Sequence, residues 1–129
     1  QGLIKFGDFK KESGYTLTKE ILQERNPPTA VFVTNNQMTI GALNALSELK
    51  IRIPEDISLI SFDDMEWYSF LNPPITTVEH SPYQMGKKAG EMLLRRISKK
   101  GRKPKRVLFP SNLIVRRSTS PVFGRGLMV

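Results

Sequence analysis

The sequence predicts an α/β fold in which a parallel sheet is flanked by helices. Three observations predict it. Short apolar, β-branched runs alternate with helix-spaced segments in the order β-α-β-α-β, which calls for right-handed crossovers between parallel strands. Several of these runs end abruptly at a polar or aromatic residue, as strands do where they meet a ligand-bearing rim. The 129 residues, 39% hydrophobic and 25% charged, suffice for one ordinary core and exclude a disordered chain.

The elements follow in order. Leu3-Ile4-Lys5-Phe6 reads as a short strand and Gly7-Asp8-Phe9 as the turn after it. Ser13 caps a helix running to about Arg25, with Leu17, Ile21 and Leu22 on one face, and Asn26-Pro27-Pro28 stops it. Ala30–Thr34 is a continuous buried strand, closed by Asn35-Asn36 as a turn or cap. In the helix Gln37–Leu49, Met38, Gly41, Ala42, Ala45, Leu46 and Leu49 form the core stripe. Ile40 and Leu43 fall on the other side, either as incidental exposed residues or as part of a subunit interface.

PEDISLISFDD is a turn followed by the strand Ile57–Phe62, which delivers Asp63 and Asp64 at its carboxyl end. A loop carrying Trp67 and Tyr68 leads to the extended piece Ile75–Glu79. Pro82, an N1-type proline, opens a long helix to Lys99. Gly86, Ala89, Gly90, Leu93 and Ile97 share its core face, opposite a Lys87–Glu91–Arg95 ladder. Arg106–Phe109 and Leu113–Val115 read as closing strands, and the polar, Gly/Pro-marked stretch Ser118–Val129 as a flexible tail.

Composition removes several function classes. With no cysteine there is no disulfide, thiolate zinc site or cysteine nucleophile, and one histidine argues against a multi-histidine metal centre. No apolar run reaches the roughly 18 residues of a membrane span. Gln1-Gly2 is not a natural start, so a missing N-terminal portion is expected. The net charge of +8 is unevenly spread: residues 1–81 hold seven Lys/Arg against eleven Asp/Glu, and residues 82–129 hold thirteen against one. The densest basic run, Lys99–Arg106, lacks interleaved aromatics and reads as a solvated loop rather than a nucleic-acid contact.

No enzyme motif assembles; a nucleotide-binding glycine loop, a nucleophile elbow and a zinc-binding helix are all missing. Asp63 or Asp64 with His80 would form an acid/base unit only through tertiary contact, and the paired carboxylates offer Mg²⁺ a weak case, so no catalytic residue, metal or cofactor is expected. The stronger pattern is Phe9, Asn35, Asp63 and His80, each just past a strand end, so that a parallel sheet would gather them on one rim. A stacking ring, an amide, a carboxylate and an imidazole suit a small polyhydroxylated ligand. Each has a plain structural reading too: Asn35 as a helix cap, Phe9 as core, Asp63 as a turn cap.

The segments GDFKKESGY (7–15), PTAVFVTNNQMTIGALNAL (28–46), IRIPEDISLISFDD (51–64), NPPITTVEHSPYQMGKKAGEMLL (72–94) and LFPSNLIVRRST (108–119) together resemble the C-terminal half of the effector-binding core of lactose-repressor-type (LacI/GalR) transcription regulators. The resemblance implies a type I periplasmic-binding-protein-like fold with an effector between two subdomains. It implies a division into a C-terminal effector-binding subdomain (1–80), a crossover helix with closing strands of the other subdomain (81–117), and a flexible tail (118–129). It also implies an effector that is a sugar or a related polyol or nucleoside, contacted by Phe9, Asn35, Asp63 and His80, with Asp64 a local structural residue. Ile40 and Leu71, with Leu43 beside them, fall at the expected homodimer interface. Asn36 departs from the family's usual aspartate. DNA would be read only by a headpiece lying outside this chain, in a cytoplasmic protein, and the helix Pro82–Lys99 would lack its packing partner. A solute-binding protein of a sugar transport system, and an enzyme using Asp63 and His80, are the rival readings.

Overall fold

The structure, a computed structural model, describes residues 3–98 and 104–121. Its elements run α1 (Lys11–Leu22), β1 (Ala30–Val33), α2 (Asn36–Glu48), β2 (Ser58–Phe62), a 3-10 helix (Glu66–Phe70), β3 (Thr76–Glu79), α3 (Pro82–Ser98) and β4 (Asn112–Ile114). The four strands form one sheet in sequence order, with β1, β2 and β3 parallel and β4 antiparallel to β3. The mixed α/β class with a mostly parallel sheet is therefore as predicted.

Register explains the layering. Val33 lies beside Ser61 and Val31 beside Leu59, so these side chains share one face. That face is covered by α2 and the 3-10 helix, and Val33, Ala42, Leu46, Ile57, Leu59, Tyr68 and Ile75 form the core there. Burying each of its larger aliphatic side chains contributes about 1.5–3 kcal/mol. A buried polar chain threads the same layer: Thr39 Oγ1 lies 2.8 Å from Ser61 Oγ, which lies 3.2 Å from the Tyr68 hydroxyl. On the opposite face Phe32 is 53% exposed, so β1 is not the fully buried strand the apolar run suggested.

The helices α1 and α2 meet backbone to backbone. A Cβ built on Gly14 would overlap the Met38 carbonyl, and one on Gly41 would overlap the Lys11 carbonyl. Glycine is required at both positions by this approach. The buried stripe of α1 is Gly14, Thr18 and Ile21, with Thr18 Oγ1 donating to the Gly14 carbonyl (2.7 Å). In α2 it is Thr39, Gly41, Ala42, Ala45 and Leu46, close to the predicted stripe, although Leu49 at the C-cap is exposed. Ile40 and Leu43 are half-buried rather than left in water, and Leu43 packs on the core.

Other expectations are corrected. Leu3–Phe6 is not a strand; Leu3, Ile4 and Phe6 are all exposed, so no burial offsets the cost of ordering it against β1. Helix α1 begins two residues before Ser13, which is not its cap: Ser13 Oγ donates to the Lys10 carbonyl (3.0 Å) and accepts from the Asp8 amide (3.3 Å). The helix ends at Leu22, before the prolines. Arg106–Phe109 forms no strand. Glu91 pairs with Lys88 (3.4 Å) instead of joining the predicted ladder. Ser118, set at the start of the tail by the sequence, is fully buried: its Oγ donates to the Leu59 carbonyl (2.6 Å) and accepts from the Thr76 amide (2.7 Å). Residues 99–103 of the basic run, and the tail from 122, lie outside the described residues.

No residue of α3 is buried, and Leu93 and Ile97 on its apolar face are open. The helix keeps the amphipathic pattern of a packed element, and among the described residues its apolar face is open.

Candidate functional site

The site grows from the C-terminal ends of the parallel strands. Asn35 directly follows Thr34 beyond β1 and caps α2: its Oδ1 accepts from the Met38 amide (2.8 Å). The same side chain uses its Nδ2 to donate to the Phe9 carbonyl (3.2 Å). One amide thus starts a helix and pins the loop that carries Phe9. That loop is also held by Asp8, whose Oδ1 accepts from the Lys10 amide (3.1 Å) and whose carboxyl is held below its ordinary value chiefly by Ser13 and that amide. Phe9 sits at φ 64°, a left-handed setting that non-glycine residues adopt only when their surroundings fix it. Its ring is 65% exposed, so the reading of Phe9 as a core residue does not hold.

Asp63 follows β2 and His80 follows β3, on neighbouring parallel strands. Asp63 is also left-handed, at φ 71°, with its amide donating to the Val78 carbonyl (3.1 Å). His80 Nδ1 lies 3.3 Å from Asp63 Oδ1, near enough to attract once protonated but not aligned as a hydrogen bond. Among the described residues Nδ1 is therefore buried without a hydrogen-bond partner. The imidazole stacks on Phe62, centroids 5.3 Å apart and planes at 25°. The structure thus pairs Asn35 with the Phe9 carbonyl and Asp63 with His80; Phe9 itself follows no strand, since Leu3–Phe6 does not form one. Among the described residues no group of three or more His, Asp or Glu is placed to hold a metal ion.

Asp64 turns to other partners. Arg116 grips it with two hydrogen bonds, Nη1 to Oδ1 (2.7 Å) and Nη2 to Oδ2 (2.9 Å), and Thr77 Oγ1 donates to Oδ1 (2.8 Å). The Arg116 bonds hold the Asp64 carboxyl below the usual carboxylate range, against its partial burial, and the guanidinium is raised in turn. Sequence reasoning assigned Asp64 a structural part but missed Arg116 and Thr77. The partners lie 52 and 13 positions away, and one arginine in a basic third of the chain carries no mark of its own.

A separate hollow of about 870 Å³ lies between α2 and the Pro54 and Pro73 loops, lined by Leu43, Leu46, Ile51 and Leu71 among others. It holds two of the residues expected at a subunit interface. It is walled by the residue that leads into β3, Ile75, at the end of the sheet away from Asp63.

Comparison with known proteins agrees with this architecture. Residues 4–119 match the family described as the periplasmic binding protein-like domain. The chain is similar to the HTH-type transcriptional repressor PurR of Histophilus somni (strain 2336), 37% identical over 112 residues, which are 87% of this chain and 34% of that protein. It is 38% identical over 114 residues to PurR of Edwardsiella ictaluri (strain 93-146), covering 88% of this chain and 33% of the relative. Among solved structures, it superposes on a LacI family transcriptional regulator from Enterococcus faecalis V583 with bound ribose (TM-score 0.79, 31% identity, 90% of this chain and 43% of that one). It also superposes on the regulator CelR in complex with cellobiose (TM-score 0.82, 31% identity, 91% and 36%). The chain spans about a third of the length of the curated relatives it matches. With the mostly parallel sheet and residues 4–119 accounted for, the chain belongs to the periplasmic binding protein-like domain family, as a fragment of a LacI/GalR-type effector-binding core.

Proposed function

We propose that this chain forms one wall of the effector cleft of a LacI-type transcriptional regulator, and that the effector is a small polyhydroxylated molecule such as a sugar. One observation carries this reading: Asn35, Asp63 and His80 follow the ends of three neighbouring parallel strands, with Phe9 tied to Asn35 and Asp63 beside His80. An ionised carboxylate accepts two hydroxyl donors, the open Phe9 ring packs on the C–H face of a sugar, and His80 supplies a further polar edge. Ligands bind such sheets at this end. The ribose and cellobiose held by two structural neighbours are of the same chemical class.

The allosteric step follows from differential binding. An effector spanning this wall and a facing subdomain favours one closure angle, and DNA affinity changes only by the difference in its affinity for the two states. DNA reading belongs to a part of the parent protein outside these 129 residues. Ile40, Leu43 and Leu71 form part of a homodimer interface. The site binds rather than catalyses, in keeping with relatives that are transcriptional repressors, and the parent protein works in the cytoplasm.

The test is a melting-temperature screen of the parent protein against neutral sugars, sugar phosphates and nucleosides. At a hundredfold excess over its dissociation constant an effector adds about 2.7 kcal/mol of stability. Asp63→Asn should abolish most of the shift. A panel in which no member moves the melting temperature, or one in which turnover is seen and Asp63→Asn removes turnover but not affinity, would overturn the reading.

A further inference from the structure

The two adjacent aspartates are gripped by two different segments. Asp63 faces His80, which leads out of β3 toward α3; Asp64 is held by Arg116, which lies just beyond β4. Asp63 has a left-handed backbone, a setting open to aspartate more than to most L-residues but one its surroundings must still hold. On its own side the backbone is fixed by one hydrogen bond, to the Val78 carbonyl. On the other side the next residue is fixed by three hydrogen bonds, two from Arg116 and one from the Thr77 hydroxyl. Arg116 is itself anchored, donating from Nη1 to the Ile75 carbonyl (2.7 Å) and to Thr77 Oγ1 (3.2 Å), while its amide donates to Thr76 Oγ1 (3.0 Å). Asp64 and Arg116 side chains are each 17% exposed, so solvent screens the pair little.

We propose that Arg116 is a positioning residue for the effector site: through Asp64 it holds the left-handed turn that points the Asp63 carboxylate at His80 and into the rim. Its functional meaning rests on the reading of Asp63 as an effector contact; its structural content does not. The fork geometry makes the role specific to arginine, because a lysine meets the carboxylate as a point charge and cannot hold both oxygens.

His80 is the sole histidine among the 129 residues, so its ring signals report the Asp63 carboxylate without overlap. The experiment records ring chemical shifts of the histidine-labelled chain at one fixed pH, for wild type, Arg116→Lys, Asp64→Asn, Asp63→Asn and the double variant Arg116→Lys with Asp63→Asn. Thermal melts run alongside. Arg116→Lys and Asp64→Asn should each move the ring signals at least about half as far as Asp63→Asn does, and Arg116→Lys should add nothing once Asp63 is Asn, the non-additivity expected of groups acting as a unit. If Arg116 were only a structural strut, melting temperature would fall while the ring signals of the folded chain stayed at wild-type positions; that result overturns the proposal. Should Arg116→Lys fail to fold, Thr77→Val removes one link with little change of volume and is held to the same criterion. Because no effector is present, failure here is separate from failure of the effector reading, which the sugar screen decides.

Discussion

Replacing Ser118 with alanine tests whether the end of this chain is part of its core. The Ser118 hydroxyl is fully buried between β2 and β3, donating to the Leu59 carbonyl at 2.6 Å and accepting from the Thr76 amide at 2.7 Å. Its own carbonyl accepts from the Leu59 amide (2.8 Å), so the backbone of residue 118 sits where a ladder partner would. Ser118→Ala keeps that backbone bond and removes only the hydroxyl. Two hydrogen bonds are lost at about 0.5–1.5 kcal/mol each, and a buried amide is left dry at a further cost, so about 2–4 kcal/mol is expected. For a domain of this size each kcal/mol is worth about 4 °C in melting temperature, which gives a fall of roughly 8–16 °C. The assay is thermal and urea unfolding by circular dichroism. Ser69→Ala is the control: the Ser69 hydroxyl also donates at 2.6 Å, to the Glu66 carbonyl, but is exposed, so water replaces it and the change stays within about 0.5 kcal/mol. Equal, small effects from the two variants would refute the seating of residues 116–120 and the clamp built on it.

Three further outcomes are expected. Gly41→Ala should destabilise by about 2 kcal/mol or more despite a helix-propensity gain of about 1 kcal/mol, because its Cβ would overlap the Lys11 carbonyl; urea unfolding checks this, and a stabilised variant would show that α1 and α2 do not approach so closely. Asp64 titrates below its ordinary value in the folded chain, so its contribution to stability is present above the unfolded value of about 3.9 and is lost as pH falls through the folded one. Asp64→Asn should therefore be less stable than wild type at neutral pH and lose less on acidification; parallel pH-stability curves would contradict the ion pair. Asp63→Asn in the parent protein should weaken effector binding by about 10- to 150-fold, the value of a hydrogen bond to a charged group, as read by titration calorimetry; unchanged affinity would remove Asp63 from the site.

The features legible in the sequence were those written locally. Continuous apolar, β-branched runs and period-3.6 patterns placed β1, α2, β2, β3 and α3 within about two residues, and Asn35, Asp63 and His80 stand just past β1, β2 and β3, because a parallel sheet aligns its strand ends whatever else the fold does. What the sequence hid depends on distant partners. Ser118 reads as tail because a single serine looks the same solvated or buried, and only the gap between Leu59 and Thr76 decides. Leu3–Phe6 carries a strand's composition, yet a strand also needs a covered face, and this one has none. Ser13 has the composition of a cap, but the loop tied by Asp8 and Asn35 starts the helix earlier.

The same distinction explains why two neighbouring, identical side chains diverge. Continued alternation would send Asp63 to the Ser61/Thr77 face and Asp64 to the Phe62 face, and the left-handed turn at Asp63 breaks it. Asp64 instead meets Thr77 and Arg116, and Asp63 meets His80, whose ring stacks on Phe62. The left-handed turn at Asp63 then ends the strand and fixes its carboxylate at the rim. The carboxylate left without a matched cation is the one available to a ligand, and the one fully paired is the one that holds the turn. On the proposed reading, a ligand hydroxyl at Asp63 would compete with His80 and not with Arg116.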